Sequence, residues 1–229
     1  MTAWDELKKA AALQALELLE PGMVVGLGTG STVRFALEGL GEKLRIGALN
    51  NITGIPSSIQ TEEIAHRLNI PLTDFTQHPQ IDVTIDGADE VDNQLNLIKG
   101  GGGALLREKV LAQASRKNII IVDESKVTGI LGSKWALPIE VIPFAAEIEK
   151  RFLQTQGATV QLRKTNSGDI FRTDQNNYIL DANFGKINDP YKLAADLNQR
   201  AGIVEHGLFL NLASKVIVAE STGIRILEN

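Results

Sequence analysis

The chain has 229 residues, 43% of them hydrophobic, enough for one sizeable core or two small ones at about 100–200 residues per domain. With 23 Lys and Arg against 28 Asp and Glu, the formal net charge of −5 excludes a global positive field that would gather nucleic acid or anionic lipid. Cysteine is absent, which excludes disulfides, thiolate nucleophiles and zinc–thiolate sites. Any anionic ligand must therefore be held locally. No apolar run approaches the roughly 18 residues of a membrane span, the densest being of the Ile119–Val122 kind, and Asp5, Glu6, Lys8 and Lys9 interrupt any apolar leader. The sequence reads as soluble and cytoplasmic, with neither a nucleic acid nor a membrane as partner.

Trp4, Leu7, Ala11, Ala15 and Leu18 recur at the period of one helix face, and Pro21-Gly22 ends the run. Met23–Val25 is a short apolar strand. Gly26-Leu27-Gly28-Thr29-Gly30-Ser31-Thr32 follows, then a helical pattern through Val33, Phe35, Ala36, Leu37 and Leu40. The unit recurs in type: Ser57–Leu68 is helical with a Ser57-x-x-Gln60 capping box, Ile81–Ile85 is a strand, Ala104–Ser115 a helix and Asn118–Val122 a strand. The β-branched residues of that last strand predict burial on both faces, and the alternation predicts a parallel sheet flanked by helices. Beyond about residue 131, Pro138 and Pro143 break the chain and the elements become mixed: a helix at Glu147–Gln156, strands at Ala158–Leu162 and Tyr178–Leu180 with the loop Asn166–Asp169 between them, and a helix after Asp189-Pro190. The stretches Leu208–Leu212, Lys215–Ala219 and Ile224–Leu227 return to the first sheet on this reading. The expected fold is α/β, a Rossmann-like parallel sheet (1–131 plus 207–229) carrying a smaller inserted α+β lobe (132–206) that serves oligomerisation and walls the cleft.

Four segments carry chemistry. The glycine turn between the first strand and its helix aims backbone N–H groups and the positive helix end at an anion. Neither the dinucleotide glycine pattern nor the nucleotide-loop lysine is present, so both nucleotide readings weaken. Thr29, Ser31 and Thr32 offer hydroxyls to phosphate or sugar oxygens instead; a plain tight turn would need the glycines only for positive φ. Asp86-Gly87-Ala88-Asp89-Glu90 follows a strand directly, at the sheet edge where open α/β proteins bind ligands. Asp86 and Asp89 suit the hydroxyls of a polyol, with proton affinities pushed apart by repulsion; a solvated acidic turn is the simpler alternative. Lys99 precedes four glycines, Gly100–Gly103, fused to a strand and a helix, a pattern that fits close approach of backbone to ligand beside a compact cation. Glu108 lies one turn into that helix and can project towards the same cleft, although Arg107-Glu108-Lys109 alone would be an ordinary charge cluster. Lys126 adds a second lysine at a strand end. His66, His78 and His206 are isolated and imply no metal site.

Together, Gly28-Thr29-Gly30-Ser31-Thr32, Asp86–Glu90, Lys99-Gly-Gly-Gly and Arg107-Glu108-Lys109, in this order and spacing, resemble type A ribose-5-phosphate isomerase over nearly the whole chain. The opening Asp5–Lys9, Ser125-Lys126, Pro138–Pro143 and Gly207–Phe209 add to the likeness. Gly103 and Leu106 depart from the Ala and Thr of some members, and Asn51–Ser58 is less similar to a Ser-rich family loop. The resemblance implies interconversion of D-ribose 5-phosphate and D-ribulose 5-phosphate in the pentose phosphate pathway, without metal or organic cofactor, by a homodimer or dimer of dimers. It implies Glu108 as the proton-transferring base, with Asp86, Asp89 and Lys99 around the reacting carbons. Thr29, Gly30, Ser31, Thr32, Asp86, Gly87, Ala88, Asp89, Lys99, Gly100, Gly101, Gly102 and Lys126 match its substrate-binding segments.

Aldose–ketose isomerisation needs one base and a stabiliser of the enediolate oxygen. A carboxylate serves best as that base if burial raises its pKa towards neutrality. Candidates for the phosphate are Ser31 and Thr32 with their amides, plus either Lys8 or Lys126. Related architectures also serve sugar-phosphate deaminating isomerases, lactonases and coenzyme A transferases, and a sugar-phosphate sensor would retain the pocket without the chemistry.

Overall fold

A computed structural model describes residues 2–228. In chain order the elements are α1 (Ala3–Leu16), β1 (Val24–Leu27), α2 (Ser31–Arg45), β2 (Thr53–Pro56), α3 (Ile59–Arg67) and β3 (Ile81–Asp86). Two short strands follow, β4 (Glu90–Val91) and β5 (Leu97–Ile98), then α4 (Leu105–Ala114) and β6 (Ser115–Asp123). Next come β7 (Leu137–Val141), α5 (Ala146–Thr155), β8 (Thr159–Leu162) and β9 (Tyr178–Asn183). The chain continues with α6 (Pro190–Asn198), β10 (Ile203–His206), β11 (Leu208–Phe209), β12 (Lys215–Glu220) and β13 (Gly223–Glu228). It divides into two compact units. The first comprises residues up to Ala88, Arg107–Val127 and the segment from Asn211 onward; the second comprises Asp89–Leu106 and Thr128–Leu210. The second thus takes in 89–106, 128–131 and 207–210 beside the 132–206 of the expected insertion.

The first unit is built on a six-stranded sheet in the order β13-β12-β6-β3-β1-β2. β2, β1, β3, β6 and β12 run parallel and β13 closes one edge antiparallel. Ile119–Val122, in β6 at the middle of this sheet, are all buried, as their β-branched run implies; each fully buried side chain of this size contributes roughly 1.5–3 kcal/mol. α1 packs against α2, β6 and β12 through Ala11, Ala12, Ala15 and Leu16, followed by Leu19. Trp4, expected on that face, is 48% exposed, because the helix is buried through its C-terminal half.

Three further expectations are corrected in this unit. The N-cap of α3 is Ser58, whose hydroxyl accepts from the Thr61 N–H, and not Ser57, whose hydroxyl is turned to Thr29. Thr53–Pro56, read as part of a loop, is the edge strand β2; a Gly and a Pro in four residues hid it, and at an edge both are tolerated. Leu208–Leu212 does not return to the first sheet. Its strand β11 pairs antiparallel with β5, and only β12 and β13 rejoin.

The second unit contains an antiparallel sheet in the order β10-β7-β9-β8 and a three-stranded sheet β11-β5-β4. Its core joins Leu137, Ile139 and Val141 of β7 to Leu153, Leu180, Ala182 and Leu197. Pro138, expected to break the chain, lies inside β7. The Gly207 N–H donates to the Pro138 carbonyl at 2.8 Å, and the Gly207 carbonyl, which a residue with an N–H at 138 would engage, accepts from the Lys99 N–H at 2.9 Å. The proline thus leaves a carbonyl open for the backbone of a candidate site residue.

Glu140 of β7 is 1% exposed. One carboxyl oxygen accepts from Thr173 Oγ1 and Asn177 Nδ2, at 2.8 and 2.9 Å, and the other has no hydrogen-bond partner among the described residues. Burial, with Glu205 and Asp174 nearby, raises its pKa above the usual carboxylate range despite those two bonds. A raised folded-state pKa gives stability that is complete below the unfolded pKa and declines as pH rises through the folded value. Glu140→Gln removes that term. The melting temperature of Glu140→Gln relative to wild type is therefore expected to climb between pH 4 and neutrality; a difference that stays constant with pH would refute the assignment.

Candidate active site

The candidate residues fall in both units. In the first, strand order reverses at β1: β2 lies on one side and β3 on the other. The crevice at the carboxyl ends of these strands is where doubly wound sheets bind ligands. The glycine turn leaves β1 at that point and opens α2.

The three glycines of the turn have different duties. A Cβ on Gly26 would lie 1.8 Å from Thr84 Oγ1, and one on Gly28 would lie 2.2 Å from Asp86 Oδ1, so these two let β1 and its exit pass close to β3. Only Gly30, at φ 120°, needs the left-handed region. As the N-cap of α2, Gly30 brings no side-chain acceptor to the first amides of the helix. Such free amides at a helix start, together with the helix dipole, suit an anion. Lys8 Nζ donates to Ser31 Oγ at 3.1 Å, bringing a cation from α1 to the same helix end. Thr32 is half-buried in the first turn.

Thr29, expected to offer its hydroxyl to a ligand, commits it within the protein: Oγ1 bonds Ser57 Oγ and Ser58 Oγ at 2.8 Å each and Thr61 Oγ1 at 3.0 Å. Its N–H donates to Asp86 Oδ1 at 3.2 Å, and the Gly87 N–H donates to the same oxygen at 2.7 Å. Asp86, 2% exposed at the end of β3, is therefore a carboxylate locked to the glycine turn. Ala88 is the last residue of this segment in the first unit. Glu108 and Lys109, in the first turns of α4, are each 5% exposed, so the alternative of an ordinary surface charge cluster fails for both. Lys126 closes the 3-10 turn Glu124–Lys126 after β6, a turn capped by Asp123, which accepts from the Ser125 N–H at 3.0 Å.

In the second unit, the Asp89 N–H donates to the Ile98 carbonyl at 2.8 Å, and Asp89 Oδ2 accepts from the Gly101 N–H at 2.7 Å. A Cβ on Gly101 would approach that carboxylate to 2.6 Å. Lys99 is 3% exposed, with Nζ 5.5 Å from the centroid of the Phe209 ring. Gly100 and Gly103 take φ of 100° and 84°. The third acid of the cluster does not belong with the other two: Glu90 is fully buried in β4, and its carboxylate accepts from the N–H groups of Gly132, Lys134 and Trp135 at 2.5–2.8 Å. The solvated-turn reading of 86–90 therefore fails at Asp86 and Glu90. Sequence reasoning missed Arg163, which holds the glycine run through the carbonyls of Gly100 and Gly101. An arginine one residue past a short strand gives no local signal of such a role.

The first unit can thus grip an anion beside a fixed carboxylate, and the second offers a buried ammonium and a constrained row of amides. Residues 53–223 match the family model of ribose 5-phosphate isomerase A (phosphoriboisomerase A). The chain is 59% identical to ribose-5-phosphate isomerase A of Desulfatibacillum aliphaticivorans, over 98% of each chain. It is similar to a solved D-ribose-5-phosphate isomerase in complex with phospho-erythronic acid, with a TM-score of 0.97 and 41% identity over 100% of both chains. The ribose 5-phosphate isomerase of Plasmodium falciparum superposes with a TM-score of 0.95 at 42% identity, over 98% of this chain and 99% of that one. The chain belongs to the ribose 5-phosphate isomerase A (phosphoriboisomerase A) family.

Proposed function

We propose that the chain interconverts D-ribose 5-phosphate and D-ribulose 5-phosphate through an enediolate. The observation that carries this reading is the Lys8–Ser31 contact at the uncapped start of α2, on the turn whose Thr29 amide holds Asp86. A phosphate grip and a hydroxyl grip share one loop.

In this reaction Glu108 takes the proton from the second carbon of the open aldose. The C2–H electron pair forms the C1=C2 bond, and the carbonyl pair moves onto O1. Return of the same proton to the first carbon, with O2 losing its proton as the C2=O bond forms, completes the ketose. Asp86 and Asp89 hydrogen-bond the sugar hydroxyls, relay the proton between the two oxygens and assist ring opening. Lys99 and the glycine amides stabilise the oxygen as it charges. The phosphate lies on the amides of Ser31 and Thr32, with Lys8 as its lysine.

The test is production of ribulose 5-phosphate from ribose 5-phosphate by purified protein with chelator present; no conversion rejects the reading. Charge-assisted hydrogen bonds are worth about 1.5–3 kcal/mol, so Lys8→Ala is expected to raise KM about 10- to 100-fold with kcat little changed. If Lys126→Ala raises KM and Lys8→Ala does not, the phosphate lysine is Lys126.

The protein is further read as a cytoplasmic homodimer or dimer of dimers. No helix among the described residues is long and apolar enough to cross a membrane. Phe144, 98% exposed, and Ile148, 61% exposed, support self-association, which sedimentation equilibrium reads directly.

A further inference from the structure

Arg163 follows β8 and is held in the second unit by its own backbone, the N–H donating to the Ile179 carbonyl and the carbonyl accepting from the Phe171 N–H. Its side chain is 13% exposed. Nε and Nη2 grip the two oxygens of Asp181 at 2.9 and 2.5 Å, the fork geometry that fixes a guanidinium plane. The plane lies 5.8 Å from the centroid of Phe171, the ring that a Cβ on Gly103 would strike at 2.4 Å. So held, Nη1 donates to the Gly100 carbonyl at 2.8 Å and to the Gly101 carbonyl at 3.1 Å.

A trans peptide points its N–H opposite to its C=O. The Gly100–Gly101 peptide is therefore clamped at both ends: its carbonyl is held by Arg163, and its N–H is delivered to Asp89 Oδ2 at 2.7 Å. The next peptide has its carbonyl held by the same nitrogen, which turns the Gly102 N–H away from the guanidinium. Unlike the Gly101 N–H, that of Gly102 donates to no acceptor among the described residues. A cation on a carbonyl oxygen also polarises the amide and strengthens its N–H as a donor. The Gly103 N–H also donates to the Gly100 carbonyl at 3.0 Å; with that turn bond alone, a four-glycine run would sample more orientations.

We propose that Arg163 is a positioning residue for the isomerase reaction: through the Gly100 and Gly101 carbonyls it aims the Gly102 N–H at the enediolate oxygen and holds Asp89 in register with it. The inference rests on the isomerase reading above and adds a residue that touches no substrate atom.

Arg163→Met keeps the apolar stem and removes every donor, and Arg163→Lys keeps the charge without the fork. Loss of an oxyanion donor costs about 10²–10³ in kcat. A misaimed one is expected to cost about 10- to 100-fold, with KM within about threefold. Affinity of the Met variant for phospho-erythronic acid, which carries a carboxylate as well as a phosphate, is expected to fall by the same factor as kcat/KM. Added methylguanidinium is expected to restore part of kcat in the Met variant. If the Met variant does not fold, the Lys variant, checked by circular dichroism, carries the test. An undiminished kcat in a folded variant, or a loss confined to KM, overturns the proposal. A wild-type protein inactive on ribose 5-phosphate overturns the isomerase reading instead, so the two failures are distinguishable.

Discussion

Glu108→Gln is expected to fold and bind sugar phosphate while kcat falls about 10²–10⁴-fold, the usual worth of a general base. The amide has the shape of the carboxylate and keeps a hydrogen-bonding oxygen, so packing around this 5% exposed position is retained. On the proposed assignment, the capacity to accept a proton from carbon is lost, and with it one negative charge. Loss of a negative charge in the first turn of α4 costs about 0.3–1 kcal/mol of helix-dipole stabilisation, too little to unfold a domain. Two measurements separate the base from a binding residue: the dissociation constant for phospho-erythronic acid, expected near wild type, and exchange of the C2 proton of ribose 5-phosphate in deuterium oxide, expected to slow in step with turnover. Turnover within a few-fold of wild type would remove Glu108 from the mechanism. Glu108→Asp, which withdraws the carboxylate by one methylene, should lie between the two.

Lys99→Ala is expected to lower kcat about 10²–10³-fold and to change KM far less, because in the proposed reaction its ammonium meets full charge only once the enediolate forms. Ala also leaves a cavity beside Phe209 and costs stability for that separate reason. Lys99→Met fills the stem's volume, and its melting temperature should lie above that of the Ala variant while its kcat is equally low. Should both variants raise KM with kcat intact, Lys99 binds substrate equally in the ground and transition states and is not part of the oxyanion stabilisation.

Much of the architecture was legible because it is written in local patterns. Apolar periodicity and Pro21-Gly22 marked α1, and the β-branched run Ile119–Val122 marked the buried middle of β6. Asp189-Pro190 marked the start of α6, where Asp189 accepts from the Lys192 N–H at 2.9 Å. Ser57 and Ser58 are equivalent caps by local rules. Ser58 is the one whose hydroxyl accepts from the Thr61 N–H, while Ser57 Oγ meets Thr29, 28 residues earlier. The candidate site followed the same divide. A turn between strand and helix was visible in Gly28-Thr29-Gly30, but the destination of the Thr29 hydroxyl was not. The acids at 86–90 were visible as a cluster, but their division between a turn-locked Asp86 and a buried structural Glu90 was not.

By itself, then, the amino-acid order determined most of the alternating strands and helices and, through its motifs, the family. Tertiary structure alone decided what the glycines are for and which cation governs them. Gly28 faces Asp86 because β1 and β3 pair in one register, with Leu27 opposite Ile85. Arg163 reaches the Gly100 carbonyl across 63 residues of chain. Such contacts depend on which strands become neighbours, and that choice is made by burying the sheet faces as a whole; no stretch of a few residues contains it.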